Sequence, residues 1–260
     1  MIKIFKYIFF DLMRSRWSYV YFLFYLAIGF VMLFLSNDVS KAVLTLMNII
    51  VVLTPMVGTV FGVMHYYDSR EFTELLLAQP LKRSTIFIGQ YIGLSLSLAL
   101  SLTLGLAIPF AFYGVFESTE IWNFASLLLV GAFLTFIFVS LAYNMGLLFE
   151  NKIKGFGYAI LLWLMLAVVY DGVFMISLLM FDDYPLDKFA LIATVFNPID
   201  LSRIIILLKS DMSALFGYTG AVFNMFLGTT KGLVVAFTVL TAWVVLPTWN
   251  ILRMAKKKDF

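Results

Sequence analysis

No cysteine occurs in this 260-residue sequence, and only one histidine, His65. The missing thiols exclude disulfides, zinc fingers and thiolate redox chemistry. With a single His besides, the ligand sets for zinc hydrolysis and the partners for His-dependent nucleophilic catalysis are lacking. No catalytic residue and no metal ligand is assigned. No Gly-Lys pair exists anywhere, so the phosphate-cradling loop that ends in Gly-Lys-Ser/Thr is absent. If ATP drives this chain, the nucleotide site belongs to another chain, and no cofactor is expected in this one. Charge is also scarce: Asp, Glu, Lys and Arg make up only 13% of the residues.

What is abundant is apolar. Hydrophobic residues make up 63% of the chain, and the mean hydropathy is +1.00. A spanning helix needs about 20 largely apolar residues. Windows near 17–35, 43–64, 86–108, 122–148, 156–181 and 232–251 qualify. They are continuously apolar rather than alternating, which argues against a barrel. The expected fold is all-α: a polytopic membrane protein of six spans, read as one permease-like domain over 1–260. The first run is full length and lacks a small-residue cleavage site before Ser36-Asn37-Asp38, so it reads as a span and not as a signal peptide. Pro55 and Pro109 read as kinks tolerated in a helix bundle.

Lys and Arg fix the expected orientation. Thirteen lie in the N-terminal flank, the 65–85 segment, the 149–155 loop and the C-terminal tail; five (Lys41, Lys188, Arg203, Lys209, Lys231) lie on the other side. The richer side is expected to be cytoplasmic, with both termini there. Trp17, Tyr19, Tyr66, Tyr67, Trp122 and Trp249 suit interfacial belts. Topology accounts for the pI near 8.9, and no nucleic-acid partner is expected.

Two segments interrupt the apolar pattern. Residues 68–84 carry six charges, and within them Phe72, Leu75, Leu76 and Gln79 fall at i, i+3, i+4, i+7 opposite Arg70, Glu71 and Glu74. This spacing predicts a short amphipathic helix near 69–80. Pro80 ends it, and Lys82-Arg83 anchors the next span at the headgroups. Two Glu on such a helix suit a protein partner better than anionic lipid. The second segment, 182–231, is a long external stretch of surface or re-entrant helices. Asn197 caps and Pro198 starts a helix there, with Asp200 and Arg203 spaced for an i,i+3 pair.

Asp171, next to Tyr170, falls within the fifth span. An ionisable group at that depth serves either a conduit or helix packing, with Tyr170 or Asn144 as candidate partners. Met165, Met175 and Met180 share that span, but methionine is also an ordinary gap-filler, and no tight Met cluster exists. His65 reads as an interfacial residue at the end of the second span.

This arrangement resembles the permease subunits of ABC-2-type transporters. Glu74-Leu75-Leu76-Leu77-Ala78-Gln79-Pro80-Leu81-Lys82-Arg83 is similar to that family's Leu-rich "Gln-Pro, then basic" signature, and Gly89-Gln90-Tyr91 stands at its Gly-Lys-aromatic motif. Phe72-Thr73 departs from the Gly-Thr common before the Leu-rich run. A narrower resemblance is to the NosY-type permeases of nitrous oxide reductase maturation. It rests on Pro80-Leu81-Lys82-Arg83, Gly155 to Asp171, Asn197 to Arg203, and Gly217-Tyr218-Thr219-Gly220-Ala221.

The resemblance implies a homodimer in the bacterial inner membrane, surrounded by lipid. It implies two copies of a cytoplasmic ATPase carrying ATP and Mg, and a periplasmic copper-handling protein on the 182–231 region. Carried over residue by residue, Glu71, Phe72, Glu74, Leu75, Leu76, Gln79 and Arg83 are expected at the ATPase contact. Asn197, Asp200, Arg203 and Tyr218 are expected at the external partner. The cargo would be a sulfur species, copper or nothing. An ABC exporter of a lipid, peptide or drug fits the same pattern. So, in another class, does a stand-alone secondary carrier or intramembrane enzyme.

Overall fold

A computed structural model describes residues 2–36, 38–181, 187–209 and 230–257. Among these residues all regular structure is helical. A short helix α1 (Ile2–Met13) leads into α2 (Arg16–Ser36) and α3 (Val39–Asp68). A two-turn helix, α4 (Arg70–Leu77), then precedes α5 (Arg83–Phe112) and α6 (Ile121–Leu148). Next, α7 (Lys152–Leu164) and α8 (Tyr170–Met180) are joined without a break by a π-turn over Met165–Val169. The last three are α9 (Asp187–Phe196), α10 (Pro198–Lys209) and α11 (Thr230–Lys257).

Among the described residues six helices are long and apolar enough to cross a membrane: Arg16–Ser36, Val39–Asp68, Arg83–Phe112, Ile121–Leu148, Lys152–Met180 and Lys231–Lys256. They coincide with the six windows read from the sequence. The α9–α10 pair is bent by 115°. Each arm is short: at ~1.5 Å per residue neither reaches across a hydrocarbon layer of ~30 Å. Taken together the two arms are long and apolar enough for a broken span or a re-entrant hairpin, and taken singly they suit the surface helices also expected. The rest of the 182–231 stretch, 210–229 included, lies outside the described residues.

Helices α3, α5 and α6 form the centre, with α2 against α5 and α1 lying along α5. Close approach of backbones, not apolar burial, must hold helices together where lipid is as apolar as the side chains. The α3–α6 seam has that character. A Cβ placed on Gly62 would stand 2.6 Å from the Cβ of Ala142, so only hydrogen fits there. Both prolines expected to kink spans sit inside unbroken helices, Pro55 in α3 and Pro109 in α5. The Lys152–Met180 span is peripheral: only 6% of its most apolar stretch is buried within the protomer.

Gly62→Val is expected to force α3 and α6 apart. The overpacking cost is about 1–3 kcal/mol, read as a lowered unfolding midpoint of the detergent-purified protein. An unchanged midpoint would mean that the seam yields without penalty.

Candidate functional site

Two polar assemblies break the apolar bundle. The first surrounds α4. Its outward face carries Glu71, Glu74 and the 69%-exposed Leu75. An ion pair joins Arg70 Nε to Glu74 Oε1 at 3.1 Å. The inward residue is Thr73, which is buried. Its hydroxyl donates to the Ser69 carbonyl at 2.8 Å and accepts from Gln90 Nε2 of α5 at 2.7 Å. Phe72 stacks on Tyr7 of α1, ring centroids 5.4 Å apart.

The expected apolar stripe is therefore only half right. Phe72 and Leu76 are half-buried, but Leu75 and Gln79 point outward. Two turns of helix bury little, and the Gln90–Thr73 hydrogen bond decides which side faces in. The helix also stops at Leu77, short of the expected 80, because Pro80 lacks a donor and biases Gln79 away from helix. Arg83 begins α5.

Nothing in the residue pattern places the 149–152 loop in this assembly, yet it belongs there. Tyr67 hydroxyl donates to the Phe149 carbonyl at 2.6 Å. Lys152 Nζ meets Asp68 Oδ1 at 2.7 Å. Gly155 leaves the room that the Tyr67 hydroxyl occupies, since a Cβ there would collide with it. Asn151 caps α7 by accepting from Ile153 and Lys154 backbone N–H groups at 2.9 and 3.3 Å. His65 is not simply interfacial: its Nδ1 lies 2.7 Å from the Tyr143 hydroxyl of α6.

The second assembly lies where the α9–α10 bend meets the fifth span. Asn197 holds the bend. Its Oδ1 accepts from the Ile199 N–H at 3.0 Å, the cap expected from Asn-Pro. Its Nδ2 donates twice, to the Leu166 carbonyl at 2.9 Å and to Asp200 Oδ2 at 2.7 Å. Leu166 lies in the π-turn, a distortion that opens the helical hydrogen-bond ladder. The expected Asp200–Arg203 pair is present at 3.6 Å.

Asp171 has neither of its expected partners. Arg203 Nη1 donates to its Oδ2 at 3.2 Å, from 32 residues along the chain. Tyr170 instead donates to the Ala193 carbonyl of α9 at 2.7 Å. Asn144 is engaged elsewhere: its Nδ2 donates to the Ser140 and Pro247 carbonyls at 2.8 and 2.9 Å, and its Oδ1 accepts from Asn250 at 2.8 Å. That network pins α11 to α6. Residues that read as two separate sites in the sequence, Asp171 and Tyr170 against Asn197, Asp200 and Arg203, form one cluster. Tyr218 lies outside the described residues.

Met165, Met175 and Met180 are exposed on the outer surface of the fifth span. Among the described residues no group of three or more His, Cys, Asp or Glu is placed to hold a metal ion.

Two substitutions separate the roles of Asn197. Asn197→Ala is expected to cost about 1–2 kcal/mol through the lost cap. Asn197→Asp keeps a capping oxygen but removes both donated bonds and adds a third carboxylate. It is expected to destabilise at least as much, as judged by the unfolding midpoint. If Asn197→Asp matches the unsubstituted protein, the bridge to Leu166 and Asp200 is dispensable. Comparison with family models finds no match, and comparison with curated proteins finds none either.

Proposed function

We propose that this multi-pass membrane protein is the permease subunit of an ABC-2-type transporter, with α4 as the helix that receives force from a separate ATPase. The supporting observation is the mechanical asymmetry of α4. From behind it is fastened to α5 by Gln90–Thr73 and to α1 by Tyr7–Phe72, and its root is tied to the 149–152 loop by Asp68–Lys152. In front, Glu71, Glu74 and Leu75 stand open. A helix braced on one side and exposed on the other passes a push into the spans on both sides of it. With no phosphate loop in the sequence, the push comes from another chain. In this reading α4 and both termini face the cytoplasm.

The peripheral fifth span supports a homodimer, because its apolar surface is left to a second copy or to lipid. Two ATPase copies complete the assembly. The narrower proposal is service in maturing the copper–sulfide centre of nitrous oxide reductase, with a periplasmic copper-handling protein on the 182–231 side. It rests on the resemblance of the Asn197–Arg203 and Gly155–Asp171 stretches. One observation favours a second reading, export of a lipid. A groove of about 550 Å³ between α5, α6 and α11 is lined by Thr103, Ala125, Leu128, Ala132, Phe136 and Val244 and is almost wholly apolar.

Affinity purification with neighbouring genes co-expressed tests the ATPase contact. The unsubstituted chain is expected to retain an ATP-hydrolysing subunit, and the double charge reversal Glu71→Lys, Glu74→Lys to lose it while the membrane domain stays folded. A chain that purifies alone, or a double variant that keeps its ATPase, would overturn the coupling role. A copper-binding periplasmic protein in the eluate supports maturation; phospholipid transport by the reconstituted complex supports export.

A further inference from the structure

The cluster at the bend has an unbalanced charge. Arg203 Nη1 faces two carboxylates, Asp171 Oδ2 at 3.2 Å and Asp200 Oδ1 at 3.6 Å. One guanidinium neutralises one carboxylate. The 3.2 Å contact is a hydrogen bond; the 3.6 Å contact is too long to be one. Asp171 therefore has the stronger hold on the arginine.

Asp200 is left with the weaker support and the deeper burial. Its side chain is only 9% exposed, against 32% for Asp171. Its Oδ1 is buried and has no hydrogen-bond donor. Two neighbouring side chains have their donors used elsewhere or on the other oxygen. Asn197 has two amide hydrogens, one on the Leu166 carbonyl and one on Asp200 Oδ2. The Tyr170 hydroxyl is spent on Ala193. A buried anionic oxygen with no donor is among the costlier arrangements in a protein.

Among the described residues no further charge faces it. The helices packed against α10 are α3, α6, α9 and α11. In sequence α6 has no charged residue, α3 has none between Lys41 and His65, and α11 has none between Lys231 and Arg253. Asp187 and Lys188 stand at the far end of α9, more than two turns from the bend. The charged groups facing Asp200 are Asp171 and Arg203.

We propose that the Asp171–Arg203–Asp200 cluster is a proton-binding site, which carries one exchangeable proton on the Asp200 carboxyl. Proton uptake converts the Asp200 carboxylate to a carboxylic acid and changes the cluster from one net negative charge to none. Oδ1, which lacks a donor as an acceptor, becomes a hydroxyl. Asp171 and Arg203 then remain as a matched ion pair. The inference depends on this chain alone and stands whether or not an ATPase binds α4.

Infrared spectroscopy of the full chain in lipid nanodiscs reads this proton directly. At pH 5 a solvated Asp, with a pKa of about 3.9, is ionised, whereas the site is expected to give the carbonyl band of a protonated carboxyl. That band should shift in deuterium oxide and on carbon-13 labelling of aspartate, and vanish at alkaline pH. Asp200→Asn is expected to abolish it. Asp171→Asn is expected to abolish it as well, because Arg203 is then free to neutralise Asp200 and the proton leaves. The proposal fails if the unsubstituted protein shows no such band at pH 5 or if aspartate labelling leaves the band unmoved. It fails equally if the band survives in either asparagine variant. The labelling experiment on the unsubstituted protein decides by itself should a variant not fold.

Discussion

Hydrocarbon outside the bundle removes the force that assembles soluble proteins, and the rest of this structure follows from that constraint. A leucine gains little by leaving lipid for a neighbouring helix. What distinguishes one arrangement of six greasy helices from another is the fit of backbones and a handful of polar pins. Gly62 against Ala142 is a fit of the first kind. Asn144 on Pro247 and Asn250, Gln90 on Thr73, and Asn197 on Leu166 are pins of the second kind. Each pin joins an amide side chain, with its several hydrogen-bonding groups, to a polar group on another element of the bundle.

This division explains what could be read from the chain in advance. The spans, their number and their approximate ends were legible, since length and apolarity alone specify them. Local signals were legible too: the Asn197 cap, Pro198 at the helix start and the Asp200–Arg203 spacing lie within one helical turn. Partners across the bundle were not. Arg203 lies 32 residues from Asp171, and Asn250 lies 106 from Asn144. A continuously apolar run has no preferred face, so periodicity does not say which side of a span meets which neighbour. The apolar stripe expected around Phe72 was only half right for a related reason. At two turns its pattern is too short to outweigh one hydrogen bond from Gln90, and Thr73 faces in where Leu75 was expected.

The two polar assemblies differ in kind. The one around α4 combines exposed ion pairs, worth little singly in water, with an aromatic contact and one buried hydrogen bond, Gln90 to Thr73. Its value is geometric: Tyr67, Asp68 and Thr73 link the end of α3, α5 and the loop before α7. The cluster at the bend is smaller and drier. There the same kinds of groups interact with less screening, and an imbalance of one charge matters.

The π-turn at Met165–Val169 also sets an angle. One extra residue in a helix advances everything after it by about 100° of rotation, given 3.6 residues per turn. Asp171 follows that advance by two residues. Without the insertion the α8 half of the span would present a different stripe to α10, and the Asp171 carboxylate would be rotated by about 100° from its place beside Arg203. The distorted turn is thus a phase shifter: it lets one continuous helix show an apolar face along α7 and a charged residue along α8 to neighbours lying in different directions.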